Sequence, residues 1–149
     1  MRLYFFAFSL FLLQISIITR FFSFEGIIPD FLTIFVIIYS LKNSLKESIK
    51  MAVFVGILQD LLSPSGLIFN TLTKLIVVGI TFSMKDRFYY SNLVVKGVLI
   101  VVITFIDIGI KSSLIFFKTG IFEISYYHLV YLVLNFVIFY LVTFLDEVK

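Results

Sequence analysis

The chain has 149 residues, 61% hydrophobic and 14% charged, with a mean hydropathy of +1.14 and a formal net charge of +3. A soluble domain is about 45–50% apolar and about 25% charged, so a single water-soluble core is excluded and hydrocarbon is expected to solvate much of the surface. Cysteine is absent and His128 is the one histidine, which excludes a disulfide framework, a thiolate nucleophile and a His- or Cys-rich metal centre.

Six apolar segments follow in chain order, at 3–18, 27–41, 49–62, 66–84, 93–117 and 124–145. A helical span needs roughly 20 residues, so the second and third are short and are expected to extend into their flanks or thin the bilayer, while the fifth can tilt. None alternates apolar and polar residues as a barrel strand does, and helices are the remaining way to satisfy the backbone in lipid. The expected fold is therefore an all-α, six-transmembrane-helix bundle forming one integral membrane domain over 1–149. Arg2 and the apolar run after it resemble a signal peptide, but Gln14-Ile15-Ser16-Ile17 is a poor cleavage site, so the segment reads as an uncleaved first span. Pro29 stands in the first turn of the second segment, where its missing N–H costs nothing, and Pro64 marks the turn between the third and fourth.

Basic residues set the orientation. With the N-terminus in the cytoplasm, eight fall on the inner side (Arg2, Lys42, Lys46, Lys50, Lys85, Arg87, Lys96 and Lys149) and two, Arg20 and Lys118, on the outer. That asymmetry puts both termini in the cytoplasm. Lys42, Lys46 and Lys50 recur every four residues around Glu47, as a topology signal on a solvated face or as a contact for anionic lipid. Tyr4, Tyr39, Tyr89, Tyr90, Tyr126, Tyr127 and Tyr140 lie near span ends as interface anchors, and His128 reads as an interface residue among them.

The costly residues are those inside the spans. At a helical rise of about 1.5 Å per residue, Asp30 lies about 5 Å, Asp60 about 3 Å, Asn70 about 6 Å, Lys74 about 12 Å, Asp107 about 15 Å and Lys111 about 9 Å below the outer ends of their segments. All six fall in the outer half of the bilayer. A mid-membrane charge costs about 2.5–3.5 kcal/mol on insertion scales, so the group is expected to pair within one polar cluster. Asp107 and Lys111 are i,i+4 neighbours, and Lys74 has Asp60 or Asp30 as partner. The cluster reads either as internal glue fixing helix register or as a ligand or partner site. Gly56 sits one turn before Asp60 on the same face and admits a close helix, from this bundle or from another protein. No catalytic set, metal spacing or phosphate-cradling loop appears, so no enzyme, cofactor, metal or nucleic-acid partner is expected.

One stretch carries a family resemblance. Pro29-Asp30 opens the second segment with the apolar run Phe31 to Leu41, a basic loop follows, and then come Gly56-Ile-Leu-Gln-Asp60-Leu-Leu, a turn, and Gly66 leading into the fourth. Over about residues 27–80 this resembles the rod shape-determining membrane protein MreD family; the other segments agree in hydropathy and length. The resemblance implies a non-enzymatic inner-membrane scaffold of the cell-elongation complex. It would bind MreC and act indirectly on MreB and the RodA–PBP2 peptidoglycan synthase, within a bundle similar to the substrate-binding (S) subunits of energy-coupling-factor (ECF) transporters. Pro29, Asp30, Gly56, Asp60 and Gly66 match the family pattern; Gln59, Asn70 and Lys74, with Asp107 and Lys111, join the candidate site through depth and pairing. A homo-oligomer is compatible with this reading. The competing reading is an S-type subunit of a vitamin or metal transporter using the same outer-half cavity. Against it, the first segment lacks the four-residue small-residue spacing by which such subunits dock, having only Ala7 and Ser9 in that stretch.

Overall fold

The computed structural model describes residues 2–16, 30–62, 68–89, 93–120 and 127–147, and these form seven helices and no strand. They are α1 (Arg2–Ile15), α2 (Phe31–Lys42), α3 (Leu45–Leu62), α4 (Phe69–Ser83), α5 (Lys85–Tyr89), α6 (Leu93–Thr119) and α7 (Tyr127–Glu147). The expected segments each contain one helix, and α5 is an additional short one in the basic loop after α4.

Local chemistry explains the helix ends. Asp30 caps α2: its Oδ1 accepts from the Thr33 N–H at 2.9 Å, filling one of the orphan donors of the first turn. The α2–α3 turn is short because Asn43 takes an extended backbone, its N–H and its side-chain amide both donating to the Tyr39 carbonyl. Ser44 precedes Glu47 by three residues, the spacing of a capping box, and accepts from the Glu47 N–H at 3.5 Å. At the far end of α6, Gly120 adopts φ +71° and its N–H closes on the Phe116 carbonyl at 2.8 Å, a left-handed stop that a Cβ would strain.

α2 and α4 form the middle of the molecule. α2 is apolar on all sides and buries Leu32 and Val36 toward α1 and α3, and Ile34, Ile37 and Leu41 toward α6 and α7. α4 divides in the same way: Val78 packs with Ala7, Phe11, Met51, Ala52 and Val55, and Val77 with Leu99, Ile100, Ile103 and Phe139. Two apolar clusters therefore share one pair of central helices.

Among the described residues, one helix is long and apolar enough to cross a membrane: Val94–Thr119 within α6. α1, α2, α4 and the His128–Leu141 part of α7 are apolar but shorter, and α3 carries Lys46, Glu47, Lys50 and Asp60. The 12 residues of α2 reach roughly 18 Å, well short of a hydrocarbon core of about 30 Å. Pro29, Pro64 and Gly66 lie outside the described residues, within the segments 17–29 and 63–67.

Candidate functional site

Asp30 is the meeting point of five helices. Its Oδ1 accepts from the Thr33 N–H (2.9 Å) and from Gln59 Nε2 of α3 (3.1 Å). Its Oδ2 accepts from Thr33 Oγ1 (2.5 Å), Lys74 Nζ of α4 (3.2 Å), Tyr131 OH of α7 (3.3 Å) and Lys111 Nζ of α6 (3.5 Å). Its own N–H donates to Asn135 Oδ1 of α7 at 3.1 Å. Thr33 doubles the link to α4, because its Oγ1 also accepts from Lys74 Nζ. Lys111 in turn bonds Asp107 at 2.8 Å, one turn back on α6.

Two carboxylates and two ammonium groups thus form one charge-balanced quartet: Asp30, Asp107, Lys74 and Lys111. Lys74 and Asp107 are fully buried, and the Lys111 side chain is 26% exposed. In a low-dielectric interior a charge is tolerable only with a partner and further hydrogen bonds; the quartet supplies a partner to each charge and further hydrogen bonds chiefly at Asp30.

Asp60 stands apart from the quartet, and this corrects the expectation of one cluster holding all three acids. Ile68 precedes α4 but offers it no side-chain cap. Asp60, at the end of α3, takes that role across the turn: its Oδ1 accepts from the Asn70 N–H (2.8 Å), and its Oδ2 from the Thr71 N–H (3.0 Å) and Thr71 Oγ1 (2.7 Å). A carboxylate at a helix N-terminus also meets the positive end of the macrodipole. Of its two expected partners, Lys74 therefore takes Asp30. Gly56 explains how the helices come so close. A Cβ there would fall onto the Thr71 Cα, 2.8 Å from its Oγ1 and 2.9 Å from its N. The helix that Gly56 admits is α4 of the same chain.

Beside the quartet is a cavity of about 450 Å³. Gln14, Asp30, Gln59 and Asn70 line it from α1, the α2 cap, α3 and α4. Ile108, Lys111, Ser112 and Ile115 line it from α6, and His128 and Tyr131 from α7. His128 is thus a wall of the cavity, a position that its tyrosine-rich neighbourhood does not reveal. Gln59 Oε1 and Asp107 Oδ1 are buried with no hydrogen-bond donor among the described residues. Among those residues, no group of three or more His, Cys, Asp or Glu side chains is placed to hold a metal. The site's chemistry is ion pairing and hydrogen bonding.

Of the candidate residues, Asp30, Gln59, Lys74, Asp107 and Lys111 come together, Asn70 joins them at the cavity, and Gly56 and Asp60 form the α3–α4 junction. Pro29 and Gly66 lie outside the described residues. Sequence reasoning missed Thr33, Thr71, Tyr131, Asn135, Gln14 and Ser112. Asn135 carried a readable signal, being an amide in the middle of an apolar segment, and Thr33 stands three residues after a capping aspartate. Comparison of the chain with known protein families, with curated proteins and with solved structures finds no match.

Proposed function

We propose that the chain is a multi-pass inner-membrane protein, a six-span bundle with both termini cytoplasmic, acting as a non-enzymatic scaffold of the MreD type. The supporting observation is its polarity, which is inverted relative to a water-soluble protein. Lys74, Asp107 and Asp30 are interior, while Phe117 (84% exposed), Leu61 (76%), Phe5 (74%), Val94 (73%) and Phe105 (67%) face outward on several helices. Exposed hydroxyls follow the same logic. Ser9, Ser83 and Ser113 donate to the carbonyl four residues back on their own helix, a bond that satisfies a helical hydroxyl in lipid as well.

The scaffold role rests on the resemblance over residues 27–80 together with the use of its motif residues. Gly56, Asp60 and Asp30 are engaged inside the bundle, so a partner such as MreC would dock on the lipid-facing surface. Co-expression with tagged MreC and extraction in mild detergent tests this. Recovery of the chain with MreC, well above an unrelated multi-pass protein, is expected, and Asp60→Asn should preserve it. Background-level recovery would sink the scaffold reading.

A second reading, an S-type transporter subunit, is favoured by the cavity. Co-purification with a transporter energising module in place of MreC would select it.

A further inference from the structure

We propose that the cavity beside the quartet binds an uncharged small molecule bearing a planar amide edge, an N–H donor next to a carbonyl acceptor. The inference rests on the cavity and its wall and not on the scaffold reading.

Size comes first. About 450 Å³ lies within the roughly 300–1,000 Å³ range of small-molecule pockets and far exceeds the roughly 30 Å³ share of one water. Charge comes next. Of the quartet, Asp30 and Lys111 line the wall, and each is already matched by a charge behind it, Asp30 by Lys74 and Lys111 by Asp107, so an ionic guest would leave one charge uncompensated in a poorly solvated place. A neutral guest disturbs nothing.

The hydrogen-bonding groups define the edge. Gln59 Nε2 donates to Asp30 Oδ1, which fixes the amide orientation, since a flip would set oxygen against carboxylate. Gln59 Oε1 is then held as a buried acceptor with no protein donor among the described residues. It calls for an N–H or O–H from the guest. Lys111 has three N–H donors, of which two are directed at Asp107 and Asp30. The third suits a carbonyl oxygen. Ile108, Ile115 and the Tyr131 ring supply apolar wall for a flat group.

The test is thermal unfolding of the full chain in detergent micelles, with nicotinamide and uracil as neutral probes at about 20 mM and nicotinate as the charged isostere. The neutral probes should raise Tm by about 3 °C, the rise growing with the logarithm of probe concentration, and nicotinate should not. Gln59→Leu should abolish the response by removing the acceptor. Because that change also removes a bond to Asp30, Ile115→Trp serves as the second variant. Ile115 is 45% exposed at the rim, outside the quartet, and tryptophan there should block entry while leaving the unliganded Tm near that of the parent. A flat Tm with both neutral probes, an equal rise with nicotinate, or an undiminished response in Ile115→Trp would each overturn the proposal. Because the assay uses the purified chain alone, its outcome is independent of MreC recovery.

Discussion

At Asp30 six donors converge on two oxygens that offer about four lone-pair sites. The surplus makes α2, α3, α4, α6 and α7 share one acceptor, so displacing any donor is felt by the others. Lys74 is the most consequential of them, because its ammonium is wholly buried and, among the described residues, its hydrogen bonds go to Asp30 and Thr33. Lys74→Met should lower stability by about 3–5 kcal/mol, the cost of leaving a buried carboxylate short of its counter-charge. Lys111→Met should cost less, since that side chain is partly exposed. Adding Asp30→Asn to Lys74→Met should recover part of the loss, a coupling readable in denaturant titrations in mixed micelles. Strictly additive losses would show that the pair is not a unit. At this scale the sequence is legible for ion pairs fixed by helical spacing, as with Asp107 and Lys111. It leaves the partner of Lys74 open between two acids, because that choice depends on how α4 is seated against α2 and α3. Uncharged Thr33 and Asn135 escape a search that starts from charges, although the backbone bond from Asp30 to Asn135, with the Tyr131 hydroxyl on Asp30, ties α7 to the α2 cap.

α3 and α4 are joined as a unit by Gly56, Thr71 and Asp60. A helix N-terminus leaves four N–H groups without partners, and in α4 two of them are met by a side chain from the preceding helix. Asp60→Ala should therefore cost about 0.5–2 kcal/mol and loosen the first turn of α4. Amide exchange at Asn70 and Thr71 should speed up selectively, while the Val77 and Val78 amides, deep in the two clusters, stay protected. Exchange that rises uniformly along α4 would contradict a local cap. Gly56→Val should cost about 1–3 kcal/mol, because the Thr71 backbone must move away from the new side chain. Helix existence and order are legible in the apolar segments, since each contains one helix. The shortness of α2 is legible too, but helix α5 is not, because it depends on a turn: the Lys85 ammonium donates to the Asn43 carbonyl at 2.7 Å. The motif Gly56-x-x-x-Asp60 is legible as a close-approach element, but its partner helix becomes known only with the position of Thr71.

The whole molecule combines a charge-balanced interior with an apolar exterior, and one further asymmetry orients it. Lys42, Lys46, Lys50 and Arg87 are exposed beside the turns that link α2 to α3 and α4 to α5, and the Lys85 bond to the Asn43 carbonyl ties those two turns together. They form one basic end. The quartet and cavity lie toward the opposite ends of the same helices, near the start of α2 and the start of α4. On the proposed topology the basic end lies in the cytoplasm, and the cavity end then faces the outer side. Because the chain contains no cysteine, single-cysteine labelling reads this orientation against a silent background. Lys46→Cys and Arg87→Cys should resist a membrane-impermeant maleimide in intact cells and react after the membrane is opened. Lys118→Cys, exposed at the other end of α6, should react in intact cells. Within the cavity, Ser112→Cys should also react from outside, more slowly, because Ser112 is buried on the wall yet lines the cavity. Labelling of Lys46→Cys and Lys118→Cys from the same side would refute the orientation, since α6 would then fail to separate the two ends. A Ser112→Cys that reacts only after opening the membrane would turn the cavity toward the cytoplasm and reverse the argument from charge.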